Sequence, residues 1–234
     1  MEVTPPPVKI MSALIIRAIV EDHVLPKLLK AGTPIEMLWD PTATLMQRIE
    51  GGERADGIVA IDKSIDELEE KGLIERLSRR RFAQAAFGLA VARGAPRPDI
   101  SSVDKLRSVL LESSCVVYSR AGASGMYFER LIDELGIGEP VRERALIIPA
   151  GLTGQKVASG EAVLAVQQIS ELLAVPEIDF IGPFPAPVQE TTNFSTALFA
   201  DSANSARANV FFDVLFSPEV RAACETAGLK PFFE

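Results

Sequence analysis

The chain has 234 residues, 47% hydrophobic and 24% charged, the balance of a globular protein with room for one large domain or two lobes of about 100 residues each. Its longest nearly unbroken apolar stretch, Phe82 to Ala92, falls short of the ~18 residues that a membrane-spanning helix needs. The 24 Lys and Arg against 32 Asp and Glu give a net charge of −8, which argues against a basic nucleic-acid-binding face. Two cysteines and one histidine exclude a zinc ribbon, a zinc finger or a disulfide framework, so chemistry that needs His or Cys must find it in His23, Cys115 or Cys224.

Residues 1–7 show neither a basic nor an apolar signal region, and Pro5, Pro6 and Pro7 read as a stiff extended lead-in. Either Met1 is native and the protein is cytoplasmic, or an export signal has been trimmed and it is periplasmic.

Val8 to Met11 reads as a strand, and Ser12 as the cap of a helix running from Ala13 towards Lys30. Pro34 to Trp39 is a second strand. Asp40-Pro41 supplies an N-cap with Pro at the first helical position, and that helix stops at Gly51-Gly52. Ala55 to Ile61 is a third strand, followed by a short charged helix, Ser64 to Lys71. Phe82 to Ala92 is a long strand and residues 94–98 a loop. Ser102 to Glu112 is a helix with a loosely fitting capping box. Strands at Ser114–Ser119, Ala145–Ile148 and Ala162–Gln167 then alternate with helices at Ser124–Leu135, Thr153–Ser159 and Ser170–Ala174. After the Pro-rich residues 182–187 come a strand, Ser195 to Ala200, and two helices. This alternation is the signature of α/β units with largely parallel sheets. It predicts lobe I as 1–88 plus 188–234 and lobe II as 89–187, linked by two crossovers near Gly88 and Pro187.

Ligands of open α/β sheets bind beyond the carboxyl ends of the strands, where helix N-termini present free N–H groups. Four such turns carry hydroxyl or amide residues: Ser12, Asp40-Pro41-Thr42, Gly122-Ala123-Ser124-Gly125, and Gln167-Gln168-Ile169-Ser170. Each alone is an ordinary helix start; four at one topological end point to a small anion held by neutral donors. The glycine turn fits neither a Walker loop nor a dinucleotide fingerprint, and no cofactor or metal ligand set is visible.

Further candidates divide between two readings each. Arg120 could pair with a carboxylate or be a solvated loop residue, and Gln84 could face a cleft or satisfy backbone groups. Trp39 and Tyr127 suit an apolar wall or, better, the core. His23 reads as a surface residue near carboxylates, Arg79-Arg80-Arg81 as a solvated edge, and the cysteines as small buried hydrophobes. Ser12 and Ser124 lack a His partner for hydrolase chemistry.

Several segments carry a family resemblance: Lys9-Ile10-Met11-Ser12-Ala13, residues 45–56 ahead of the third strand, Ala123-Ser124-Gly125-Met126-Tyr127-Phe128, and Gly160-Glu161-Ala162 leading to Gln168-Ile169-Ser170-Glu171. Over nearly its full length the chain resembles the molybdate-binding branch of the type II periplasmic substrate-binding proteins, a family also similar to aconitate isomerase. The resemblance implies two lobes joined by two crossovers, with an oxyanion closed between them by neutral donors; a monomer is expected. It places the first-loop hydroxyl on Ser12, the second loop on Pro41-Thr42, the third-loop backbone donors on Ser124 and Gly125, and a binding tyrosine at Gln168. Two departures stand out: Asp40-Pro41-Thr42 replaces Gly-Ser-Ser, and Gln168 replaces tyrosine.

Three functions compete. The first is a solute-binding protein for a small anion, an organic di- or tricarboxylate rather than molybdate, delivering to an ABC transporter permease if exported. The second is an isomerase of a small unsaturated polycarboxylate, with Asp40 or Glu171 as the base if its pKa is raised. The third is a cytoplasmic ligand sensor. The case against molybdate rests on a carboxylate at Asp40, an amide oxygen at Gln168, and the larger organic ligand that Arg120, Trp39 and Tyr127 would suit.

Overall fold

The computed structural model describes residues 6–234, so Pro5 of the lead-in lies outside the described residues. Two compact units divide the chain: residues up to Gln84 with Asn193–Thr226 and Lys230–Glu234 form the first, and Ala85–Thr192 with Ala227–Leu229 the second. The sequence reading had drawn these boundaries at 88 and 188.

In the first unit, β1 (Val8–Ser12) is the centre of a parallel trio, paired on one side with β2 (Ile35–Trp39) and on the other with β3 (Gly57–Ile61). β9 (Thr191–Leu198) adds antiparallel to β3, and β10 (Lys230–Pro231) pairs antiparallel with the start of β4 (Arg80–Ala92). α3 (Thr42–Glu50) and α4 (Asp62–Glu70) bury Leu45, Met46, Ile49, Ile65 and Leu68 against Met11, Ile58, Ala60 and Phe199. The spacing of those helix residues by three and four positions is what gives each helix its apolar face. Asp56 ties loops together by accepting from the Lys9 N–H at 2.8 Å and the Ser202 hydroxyl at 2.6 Å. That gives the Asp of the 45–56 motif a structural role.

The expected helix from Ala13 to Lys30 is broken. A 3₁₀ turn, Leu14–Ile16, leads into α1 (Arg17–Ile19), then a π turn, Val20–Val24, and α2 (Leu25–Lys30). Pro26 explains the break, because it has no N–H for the Asp22 carbonyl; the Leu25 N–H instead reaches back five residues to Val20. Ser12 is the last residue of β1 and does not cap a helix.

The second unit repeats the plan. β5 (Val116–Ser119) lies parallel between β6 (Leu146–Ile148) and β7 (Leu164–Gln168), and β4 runs antiparallel beside β7. β8 (Ile178–Pro183), which the sequence reading passed over, covers the other side of β4. Alternate residues point to opposite faces: Phe87, Leu89, Val116, Tyr118, Leu164 and Val166 into one core, and Ala90, Val117 and Ala165 into another. Strands buried on both faces read as unbroken apolar runs, which is why β4 stood out in the sequence. α5 (Val103–Glu112), capped by Ser102, α6 (Ala123–Glu134), α7 (Gly138–Arg142), α8 (Thr153–Ala158) and α9 (Ile169–Leu173) complete the unit. In the first unit, α10 (Ser205–Leu215) and α11 (Pro218–Thr226) follow β9.

Candidate functional site

Because β1, β2 and β3 are parallel, their carboxyl ends open on one end of the first unit. Ser12, fully buried, sits there with its hydroxyl donating to the Ala13 carbonyl at 3.0 Å. Thr42 opens α3 behind Pro41, and no acidic residue lies in that helix's first turn. The first N–H groups of α3 therefore stand free, as an anion requires. Asp40 does not cap α3, contrary to the sequence reading. Its carboxylate turns along the helix to the Arg48 guanidinium at 2.6 Å, and Arg48 also grips Glu53. Hydrogen bonds to Glu53 and Asp40 push the Arg48 pKa up, and the Arg48 guanidinium holds the Glu53 carboxyl below its usual range.

At the end of β3, Asp62 opens α4 and accepts from the Ser195 hydroxyl at 2.5 Å, with Arg79 at 3.4 Å. Sequence reasoning missed this group because Asp62 and Ser195 lie 133 positions apart. The arginine run is spent within the protein: Arg79 also bonds Asp66, Arg80 lies 3.7 Å over Phe216, and Arg81 lies 3.9 Å over Phe232. Gln84 donates to the Asn193 side chain at 3.1 Å. Trp39 is half-buried at the end of β2, and His23 lies on the surface 3.4 Å from Glu219.

In the second unit, β5, β6 and β7 likewise end together. α6 starts against the end of β5, with Gly122 as N-cap and Ser124 and Gly125 buried in its first turn. Gly125 is a steric necessity, because a Cβ there would run into the Ser119 backbone, whereas a Cβ at Gly122 would meet only the Ser119 hydroxyl. Arg120 is exposed at this end and has no ion pair among the described residues. Tyr127 belongs to the core, stacked 5.2 Å from Phe87 with its hydroxyl donating to the Val188 carbonyl.

The end of β7 is the more unusual feature. Gln167 is buried, and its Oε1 accepts from the Thr153 N–H at 2.7 Å and the Thr153 hydroxyl at 2.8 Å. Its Nε2 donates to the Gly151 carbonyl at 2.9 Å. Gln167 thus fastens the β6–α8 loop to the end of β7. Next to it, the Gln168 Oε1 and Ser170 Oγ are buried without partners, and Glu171 is buried with no ion pair among the described residues. Desolvation pushes the Glu171 carboxyl up to about 8, against weaker opposing hydrogen bonds from the Gln168 backbone and the Gln167 side chain. The acid therefore holds its proton at neutral pH. The Gly151–Thr153 loop was not among the turns expected from sequence, although its small and hydroxyl residues at a strand end were a readable signal. Cys224 is buried, which pushes its thiol up to about 12, and Cys115 is half-buried and free. No group of three His, Cys, Asp or Glu side chains fit to hold a metal ion occurs among the described residues.

The sequence pattern of the family described as bacterial extracellular solute-binding protein matches residues 30–230. The chain belongs to that family. It is 35% identical over 193 residues to an aconitate isomerase of a Pseudomonas species, spanning 82% of this chain and 73% of the relative. The periplasmic molybdate-binding protein of Azotobacter vinelandii superposes with a TM-score of 0.79 at 18% identity, covering 95% of this chain and 98% of its own. A sulfate-binding protein of Mycobacterium tuberculosis does so with 0.74 at 13% identity, covering 97% and 88%. These likenesses establish the α/β fold of type II periplasmic binding proteins, the one the sequence resemblance implied. Each unit builds it from a parallel trio of strands with antiparallel strands added. No helix among the described residues is long and apolar enough to cross a membrane.

Proposed function

We propose that this solute-binding protein takes a small organic di- or tricarboxylate in preference to molybdate. The observation that carries the reading is the 35% identity over most of the chain to a protein named for its action on aconitate, a tricarboxylate, against 18% to the molybdate binder. Ser12, Thr42 and the free N–H groups of α3 are the donors of the first unit, and Ser124, Gly125 and Gln168 those of the second. Arg120, exposed and unpaired, suits a carboxylate by charge-assisted hydrogen bonding. As a member of this family the protein would pass its ligand to an ABC transporter permease from outside the cytoplasm. The test is thermal unfolding with trans-aconitate, citrate, molybdate and tungstate: a bound ligand stabilises by mass action. A carboxylate should raise the melting temperature most; submicromolar molybdate binding by calorimetry with no carboxylate response overturns the reading.

A second reading, an isomerase moving a proton within such a ligand, draws on Glu171. Proton transfer needs a group whose pKa lies near the working pH, and the buried Glu171, pushed up to about 8, meets that condition. Incubation of trans-aconitate with the protein in heavy water, followed by NMR, separates the two. Deuterium entry with conversion to the cis isomer establishes catalysis; tight binding without exchange leaves a receptor.

A further inference from the structure

Ser119 ends β5, and the two glycines of the turn that follows both leave room for it. A Cβ on Gly125 would run into the Ser119 carbonyl; one on Gly122 would run into the Ser119 hydroxyl and lie 3.7 Å from the Ser124 hydroxyl oxygen. Both hydroxyls therefore border the position that a Gly122 side chain would take. The backbone between them is held from β6: the Arg120 N–H donates to the Ile148 carbonyl at 2.8 Å, and the Ala121 N–H to the Pro149 carbonyl at 3.4 Å. Ser119 is 2% exposed and Ser124 1%, yet neither hydroxyl has a hydrogen-bond partner among the described residues. Neither belongs with the unpartnered polar atoms that are sealed from solvent, so the little surface each residue keeps includes its hydroxyl oxygen. A buried hydroxyl without a partner is a cost that a ligand can recover. No acidic residue lies in the first turn of α6, whose free N–H groups open at the same end.

We propose that Ser119 is a further binding residue of the second unit: its hydroxyl, held over Gly122, joins the Ser124 hydroxyl and the Ser124 and Gly125 N–H groups in donating to one carboxylate of the ligand. The two oxygens of a carboxylate offer about four acceptor sites, one for each of these donors. The absent side chain of Gly122 makes the set possible, since a Cβ there turns the Ser119 hydroxyl away. The inference deepens the carboxylate reading and rests on it for the identity of the ligand.

Calorimetry with trans-aconitate on Ser119→Ala, Gly122→Ala and the double variant tests this. Each single change should weaken binding about tenfold or more, the worth of a hydrogen bond to a charged group. The double variant should bind no more weakly than either single one, because alanine at 119 leaves no hydroxyl to displace. The methyl of residue 122 would then lie 3.6 Å from the Cβ of residue 119, an ordinary contact. Gly122 has φ −78° and ψ 146°, which alanine adopts without strain, so Gly122→Ala should melt close to the wild type. It decides the matter alone if Ser119→Ala does not fold. Undiminished affinity in either single variant, or losses that multiply in the double variant, overturns the role of Ser119. If the wild type ignores trans-aconitate and citrate but binds molybdate, the carboxylate reading fails; the same variants with molybdate then decide Ser119, and no loss there overturns it. Binding of none of these anions overturns both.

Discussion

A Cβ on Gly125 would lie 1.7 Å from the carbonyl oxygen of Ser119. That contact is with backbone, so no side-chain rotation relieves it, and the first turn of α6 rests on the end of β5 only because residue 125 has no side chain. Gly125→Ala must push the turn away from the strand. A cost of roughly 2–4 kcal/mol in unfolding free energy is expected from overpacking of this severity. Urea denaturation measures it, and ligand affinity should fall with it because the N–H groups of the turn move.

Ser124 and Thr42 are buried hydroxyls in the first turns of α6 and α3, one in each unit. If both reach a bound anion, Ser124→Ala and Thr42→Ala should each weaken trans-aconitate binding by about 1.5–3 kcal/mol, the value of a hydrogen bond to a charged group. Calorimetry reads this. Unchanged affinity in both variants would move the site elsewhere.

Asp40 and Arg48 provide the opposite expectation. With its carboxylate held by Arg48 at 2.6 Å, Asp40 has its charge offset by the guanidinium. Asp40→Asn should leave affinity for trans-aconitate within about twofold of wild type, since Arg48 offsets the Asp40 charge. A large gain in anion affinity on neutralising Asp40 would mean that its charge does reach the ligand.

Glu171 should make the protein less stable as pH rises. Its carboxyl titrates at about 8 when folded and near 4.5 when exposed, so between these values the folded state binds a proton that the unfolded state has released. Stability from this group is fully present below about pH 4.5, declines as pH rises towards 8, and is level above it. At about 1.4 kcal/mol per pH unit, the whole decline amounts to roughly 5 kcal/mol. Thermal unfolding from pH 5 to 9 measures it, and Glu171→Gln should remove this component of the slope.

Local chemistry carried much of the architecture. β2 and α3 were legible because a strand, a proline at the helix start and a Gly-Gly stop lie within neighbouring residues. The turn at Ser124 was legible for the same reason: the glycines that let α6 approach Ser119 are adjacent in sequence. The run Ile178–Ile181 was lost among prolines because a short strand becomes one only when β4 is there to pair with it. Side-chain partnerships were invisible wherever the partners are remote. Capping chemistry pointed Asp40 at its own helix start, but Arg48, two turns along α3, offers a full opposite charge and takes it. Ser195 meets Asp62, and Gln167 meets Thr153, only after β9 has returned to β3 and β7 has paired with β5. The proton on Glu171 belongs to the same class. Nothing in the sequence Gln168-Ile169-Ser170-Glu171 raises a carboxyl's pKa; burial does, and burial is decided by what the rest of the chain packs around it.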